Sequence, residues 1–252
     1  MKVRLARIDE SIRQAMVGIV QSIRSAGDPL ADFIFPRVCY ACGGSLGPGG
    51  ARICSPCFSS MRRVHESDPA FQASLRRAAE SDAISSLVIP WFFEKDRTLQ
   101  VLIHELKYRR RTVLGIELGR EIGRVLLART DERIDGWIPV PLHISKLRER
   151  GFNQSLFIGR GVEAVTGTPR FDGVLARIRY TPSQTALSIP LRAKNVSGAF
   201  RVPPGAAHRV EGRTLLLVDD VVTTGATMQA CGSALRAAGA RAVLGCAIAI
   251  AQ

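Results

Sequence analysis

Along most of the chain, short unbroken apolar runs alternate with longer segments whose apolar residues recur every three or four positions. The first kind of run predicts buried strands and the second amphipathic helices. Ile84–Phe93 reads as a strand interrupted by Pro90. Thr98–Lys107 and Val113–Ala128 read as helices and Ile134–Pro141 as a buried strand. Asn153–Val165 is a helix and Val174–Ile178 a short strand. Thr214–Val218 is a strand, Thr227–Ala238 a helix, and Ala242–Ile250 a last strand. Strands alternating with helices predict an α/β domain over residues 84–252, built on a mostly parallel sheet with flanking helices. Residues 179–211 carry no clear period and many Pro, Ser and Arg. There are no internal repeats.

The first 83 residues follow other rules. Ile8, Ile12, Met16, Ile19 and Ile23 form a helical stripe ended by Gly27-Asp28-Pro29. Residues 1–30 are therefore expected to be an N-terminal helical extension. It is open whether this helix docks on a partner or membrane surface, is a weakly docked extension, or reflects a start codon placed too early. Residues 31–64 hold two cysteine pairs around a glycine-rich middle. Residues 65–83, polar and alanine-rich, read as a linker with a short helix.

Composition narrows the class. Apolar residues make up 46% and charged residues 23%, which excludes a disordered, collagenous or disulfide-scaffold chain. The longest apolar run, Ala242–Ala251, is far short of the roughly 17 residues that span a bilayer. No signal-peptide core follows the N-terminal Met-Lys-Val-Arg-Leu-Ala-Arg, so a cytoplasmic location is expected. The formal net charge is +13, with Arg far outnumbering Lys. An Arg-rich, Ala- and Gly-rich composition also follows from a GC-rich genome, but the excess still points to a polyanionic ligand: nucleic acid, a phosphorylated metabolite, or both.

Four of the six cysteines form Cys39-x2-Cys42 and Cys54-x2-Cys57. Each CxxC turn aims two thiolates at one point, and two such knuckles a short distance apart supply the tetrahedral sulfur set of structural zinc. With four protein ligands no coordination position is left for catalysis. A module this small lacks the core to fold unaided, so the metal would supply folding energy. The alternatives are an emptied site or a disulfide. Cys231 and Cys246, in apolar stretches, read as small core residues. Nothing in the spacing says whether the module touches nucleic acid.

The most informative stretch is Leu215-Leu216-Leu217-Val218-Asp219-Asp220-Val221-Val222-Thr223-Thr224-Gly225-Ala226-Thr227. A buried strand runs into two carboxylates, then a small-residue loop, then a helix. The Thr223–Thr227 loop offers backbone N–H groups and hydroxyls to a phosphate at a helix N-terminus. Asp219 and Asp220 suit neutral vicinal hydroxyls or a hydrated Mg²⁺. Together these describe a ribose 5-phosphate site; the bland alternative is a turn with solvated acids. There is no GxxxxGK[ST] and no GxGxxG, which removes the usual support for kinase, ATPase and dinucleotide readings.

This stretch resembles the phosphoribosyl-diphosphate (PRPP) motif of type I phosphoribosyltransferases. The chain as a whole resembles the ComF/GntX-type family, a zinc ribbon followed by a type I phosphoribosyltransferase domain, over roughly residues 30–252. Asp32–Pro36, Leu106–Arg109, Pro139–His143, Arg148–Gln154 and Asn195–Phe200 carry the match. The resemblance implies zinc on Cys39, Cys42, Cys54 and Cys57, and PRPP with Mg²⁺ at the motif. Asp219 and Asp220 would be the catalytic acids and hold the ribose hydroxyls. Thr223, Thr224, Gly225, Ala226 and Thr227 would hold the 5-phosphate. His143, Lys146, Arg148 and Arg150 would lie near the pyrophosphate, and Arg177–Ser188 would form a loop over the site. Residues 170–213 are strongly basic, which suits a pyrophosphate leaving group. Thr223 stands where 6-oxopurine enzymes carry an Asp base, which argues against 6-oxopurine salvage.

Three functions compete. One is a phosphoribosyltransferase of unknown acceptor. Another is a PRPP- or nucleotide-binding protein without turnover. The third is an accessory of single-stranded DNA processing, since the resemblance also implies a link to competence and its machinery. Lys107-Tyr108-Arg109-Arg110-Arg111, read as lying outside the phosphate motif, is the candidate DNA contact of the third.

Overall fold

A computed structural model describes residues 37–47, 50–69, 71–73, 83–95, 97–179 and 198–251. The expected 1–30 helix, Asp32–Pro36, most of the 65–83 linker, and the Arg177–Ser188 loop beyond Arg179 lie outside the described residues. The chain divides into two compact units, Met1–Cys54 and Ser55–Gln252.

The described part of the first unit is a knuckle. Val38 and Ser45 form an antiparallel bridge, and the Cys39 N–H donates to Gly44 O at 2.8 Å. The Gly43 N–H returns to Cys39 O, also at 2.8 Å, closing a tight turn that needs Gly43 at φ 72°.

The second unit begins with a short helix, α1 (Ser55–Ser59). Among the described residues its sheet is parallel and has five strands: β1 (Ser86–Val88), β2 (Trp91–Phe93), β3 (Gly136–Pro139), β6 (Thr214–Val222) and β7 (Ala242–Ala251). The order is β1-β7-β6-β3, and β2 extends β1 along the same side of β7. The expected break at Pro90 is there. Proline has no ladder N–H, and its carbonyl turns aside to accept from Val64 N at 2.9 Å. Burial on both faces, expected of parallel strands, explains why β6 and β7 read as continuous apolar runs.

Helices α2 (Thr98–Tyr108), α3 (Thr112–Arg129), α5 (Gln154–Thr166) and α6 (Ala226–Ala237) fall within two residues of their predicted bounds. α3 buries Leu114, Leu118, Ile122 and Leu126 at four-residue intervals, with Gly115, Gly119 and Gly123 beside them. This glycine stripe meets Gly161 on α5. A methyl at Gly119 would overlap Ile158 O, and one at Gly161 would overlap Ile116 O. Backbone therefore packs on backbone. Gly159 likewise leaves room for the fully buried Trp137 of β3.

Four features depart from the sequence expectation. β6 does not stop at Val218 but runs to Val222, because its partner β7 continues and Val222 still pairs with Ile250. The predicted strand at Val174–Ile178 shrinks to β4 (Ala176–Arg177). It pairs antiparallel with β5 (Phe200–Arg201), outside the main sheet. A helix α4 (Ile144–Arg150) was not expected; seven residues rich in charge give too little period to read. Pro204–Arg209 forms a 3₁₀ helix in the aperiodic stretch.

Candidate functional site

The C-terminal end of β6 organises the site. Successive strand residues project to opposite faces, so Asp219 and Asp220 meet different neighbours although they are adjacent. Asp219 Oδ1 accepts from its neighbour's N–H (Asp220 N, 2.8 Å) and from Ser155 Oγ on α5 (3.2 Å). Asp220 Oδ1 accepts from Val221 N at 2.7 Å. Asp220 Oδ2 lies 2.8 Å from Lys107 Nζ on α2. That contact is an ion pair out of hydrogen-bond alignment, and the buried Oδ2 has no hydrogen-bond donor.

The acids are not ordinary surface carboxylates. Asp220 is buried and Asp219 half-buried. Burial, reinforced by the charge of Asp220, pushes the Asp219 carboxyl up to about 7, against the pull of the Asp220 N–H, Lys107 and Ser155. On α6 and β7, burial also raises the Cys231 and Cys246 thiols, with the Asp219 charge adding. Both cysteines are fully buried, in keeping with a core role.

Beyond the acids the chain turns through Thr223, Thr224 and Gly225 into α6. Gly225 is the N-cap at φ 80° with open space around it, and Thr224 Oγ1 accepts from Ala226 N at 3.4 Å. Asp219, Asp220, Val221, Val222, Thr223, Gly225, Ala226 and Thr227 form one wall of a cavity of about 590 Å³. Facing them is a single stripe of α2, Gln100, Ile103, His104, Lys107 and Tyr108, with Phe93 from β2. The positions i, i+3, i+4, i+7 and i+8 lie on one helical face. His104 and Tyr108 pack ring to ring at 4.9 Å.

A match to the phosphoribosyl transferase domain covers residues 164–252, which include β6, the acids and the threonine turn. The chain is 32% identical over 205 residues to the DNA utilization protein YhgH of Salmonella typhimurium, covering 77% of this chain and 88% of that protein. The chain belongs to the ComF/YhgH family. The Escherichia coli K12 YhgH protein is also 32% identical, over 221 residues, covering 82% of this chain and 94% of its own. Competence protein F of Haemophilus influenzae is 28% identical over 147 residues; the match spans 56% of this chain and 63% of that protein. Among solved structures, a Bacillus subtilis glutamine PRPP amidotransferase complexed with ADP and GMP aligns with a TM-score of 0.37 at 23% identity. That alignment covers 56% of this chain and 30% of the other.

In this ComF/YhgH chain the motif residues between β3 and α5 serve the acids through local structure. Asn153 caps α5 by accepting from Ser155 N at 3.0 Å, while its Nδ2 donates to Val140 O at 3.0 Å. This holds the Pro139–Pro141 loop beside α5 and presents Ser155 to Asp219. The residues expected near pyrophosphate are spread along α4. His143 is its N-cap and accepts from Ser145 N at 3.2 Å; Lys146 pairs with Glu149 at 2.7 Å; Arg148 is exposed. None of the four lines the cavity. Arg150 comes nearest to its wall, with its guanidinium over the Tyr108 ring at 5.5 Å and donating to Gln154 Oε1 at 2.9 Å.

Sequence reasoning missed Ser155, Gln100 and His104, and it placed Lys107 outside the motif. The structure brings Lys107 and Tyr108 to the cavity and leaves Arg109, Arg110 and Arg111 exposed. A cue for Gln100 and His104 was present: they share with Lys107 and Tyr108 one face of α2 that is polar apart from Ile103.

The other candidate site is sulfur. The Sγ atoms of Cys39, Cys42, Cys54 and Cys57 all lie within 4.8 Å of one another, and Cys42 and Cys54 are 3.8 Å apart. Tetrahedral zinc with Zn–S near 2.3 Å requires sulfur spacings of about 3.8 Å. None of the six cysteines, all among the described residues, forms a disulfide. Burial tends to raise the Cys39 thiol, but donors, chiefly the Cys54 N–H at 3.3 Å, bring it down to about 6. Gly44 N likewise donates to Cys42 Sγ at 3.4 Å. Backbone donors aimed at sulfur fit thiolates that hold a metal. No described helix is long and apolar enough to cross a membrane.

Proposed function

We propose that this chain is a phosphoribosyltransferase, acting on PRPP with Mg²⁺ and releasing pyrophosphate. The observation that carries the reading is the cavity lined both by the two strand-end carboxylates and by Thr223, Gly225, Ala226 and Thr227 of the turn; Thr224 does not line it. Asp219 and Asp220 take the 2- and 3-hydroxyls of the ribose. The turn takes the 5-phosphate through backbone N–H groups and threonine hydroxyls. An acceptor attacks C1 as pyrophosphate leaves, through an oxocarbenium-like transition state. The protein's work is positioning and charge stabilisation, and Mg²⁺ bound with PRPP would help neutralise the pyrophosphate leaving group. His143, Lys146, Arg148 and Arg150 are proposed to serve the pyrophosphate when α4 and its loop engage ligand. Residues 31–64 form a ribbon around one structural Zn²⁺, residues 84–252 the transferase domain, and the location is cytoplasmic. Thr223 offers no carboxylate base, which argues against a 6-oxopurine acceptor.

A pyrophosphate-release screen with PRPP, Mg²⁺ and a panel of nucleobases and amines tests the reading. Release that depends on one acceptor and is lost in Asp219→Asn/Asp220→Asn supports it. PRPP binding without release under any acceptor favours a sensor that has kept the cradle alone.

A second reading rests on the relatives, which are named as DNA utilization and competence proteins. In it the chain serves the handling of incoming single-stranded DNA beside competence proteins. Its contact surface is Arg109, Arg110 and Arg111, all exposed; the Arg109 and Arg111 side chains stand 4.0 and 3.9 Å from Glu105.

A further inference from the structure

The cavity combines charges that repel. Two adjacent carboxylates line it, and the proposed ligand brings a phosphate into the same space. A sugar phosphate dianion beside two ionised acids needs a cation, because like charges a few ångströms apart in a partly desolvated site disfavour binding. Lys107 is the one Lys or Arg among the described residues lining the cavity. It sits on the α2 stripe that faces the acids, with Nζ 2.8 Å from Asp220 Oδ2, and both side chains are mostly buried. Oδ2 has no hydrogen-bond donor, so its charge is balanced by this ammonium through space. The ammonium is a compact charge on a flexible stem, able to stay near Asp220 and offset its charge while a ligand occupies the cavity.

We propose that Lys107 is the built-in counter-ion of the acidic pair, so that a ribose 5-phosphate group binds this site without a divalent cation. This rests on the phosphoribosyl reading above and adds a residue to it. Lys107 is a positioning residue: it acts on the ligand through Asp220 and through the net charge of the cavity. The inference separates two uses of metal. Mg²⁺ is needed for the pyrophosphate of PRPP and is not needed for the ribose phosphate half.

The probe is ribose 5-phosphate, titrated calorimetrically into the full zinc-loaded chain in Mg²⁺-free buffer passed over chelating resin, with no soluble chelator, and in Mg²⁺. Wild type, Lys107→Met and Lys107→Arg are compared, with melting temperature and zinc content as folding controls. Wild type is expected to bind without Mg²⁺, with less than a two-fold gain from Mg²⁺. Lys107→Met is expected to lose at least ten-fold without Mg²⁺ and to recover most of it in Mg²⁺, which replaces the missing charge. Lys107→Arg is expected to stay within a few-fold of wild type without Mg²⁺. A wild type that binds only with Mg²⁺, or a folded Lys107→Met that binds like wild type without it, overturns the inference and leaves the phosphoribosyl reading standing. If wild type binds neither ribose 5-phosphate nor PRPP under any condition, the phosphoribosyl reading fails and this inference falls with it.

Discussion

Ser155 Oγ donates to Asp219 Oδ1 at 3.2 Å, linking the first turn of α5 to the end of β6 across 64 positions of sequence. Ser155 is fully buried and Asp219 half-buried. The bond favours the ionised acid. Ser155→Ala removes it without changing the helix cap, because Asn153 caps through Ser155 N. A lost bond to a charged acceptor costs on the order of 1.5–3 kcal/mol. The substitution is therefore expected to weaken ribose 5-phosphate binding at pH 7.5 by at least ten-fold. Calorimetry at fixed pH reads the effect.

The raised Asp219 carboxyl predicts a pH dependence with a definite sign. Hydroxyls bind the ionised form, so ligand affinity should fall as pH drops through about 7, by up to about ten-fold per unit. Stability should move the other way. The folded state holds this proton more tightly than the unfolded chain, so the Asp219 contribution is most favourable below the unfolded pKa near 4. It is lost as pH rises toward about 7. Asp219→Asn should flatten the affinity slope, leaving only the part that follows the ligand phosphate's second ionisation at about pH 6, and should raise Tm at pH 8 but not at pH 4. Binding isotherms from pH 6 to 8.5 and melts at both pH values check this.

Asp219→Asn/Asp220→Asn keeps the shape of the site and removes the anionic acceptors. It should reduce PRPP affinity in Mg²⁺ by on the order of 1.5–3 kcal/mol per charge-assisted bond. Unchanged affinity would mean that the acids are structural.

One zinc per chain is expected by elemental analysis after purification in reducing, metal-replete buffer. Cys39→Ser or Cys57→Ser should lower zinc content and solubility, since the metal contributes folding energy. Cys231→Ser and Cys246→Ser should leave zinc content unchanged, because both are core residues remote in sequence from the four-sulfur cluster. A protein without stoichiometric zinc would sink the ribbon assignment.

If single-stranded DNA is a partner, replacing Arg109, Arg110 and Arg111 by Ala should flatten the slope of log affinity against log salt. The change is up to about 0.7 per lost phosphate contact. Ribose 5-phosphate binding should barely change, because these three side chains are outside the cavity lining. An unchanged salt slope would place any DNA contact elsewhere.

The α/β architecture was legible because burial writes itself into the apolar pattern. β6 and β7 are buried on both faces and α3 carries its leucines at regular intervals, so both kinds of run stood out. The acid pair and threonine turn were legible because their order along the chain is their order in space. Lys107 and Ser155 were not, since each reaches β6 from a helix distant in sequence. The end of β6 was misjudged because two aspartates read as the end of a strand. In the sheet the β7 ladder carries the backbone through them. The glycine interlock of α3 and α5 was invisible for a different reason: glycine leaves no apolar signal, and only the neighbouring backbone shows why a methyl is forbidden.

The interior place of β7 bears on the order in which the chain is made. It pairs with β6 along one edge and with β1 and β2 along the other, and Leu87 meets Gly245 from far along the chain. Yet β7 follows every other described strand in the sequence. A ribosome that has delivered β1, β2, β3 and β6 has supplied two separate edges and not yet the strand that joins them. The nascent chain must hold those apolar edges apart from other molecules until β7 clears the exit tunnel. Sheet closure is thus a late, all-at-once event of high contact order.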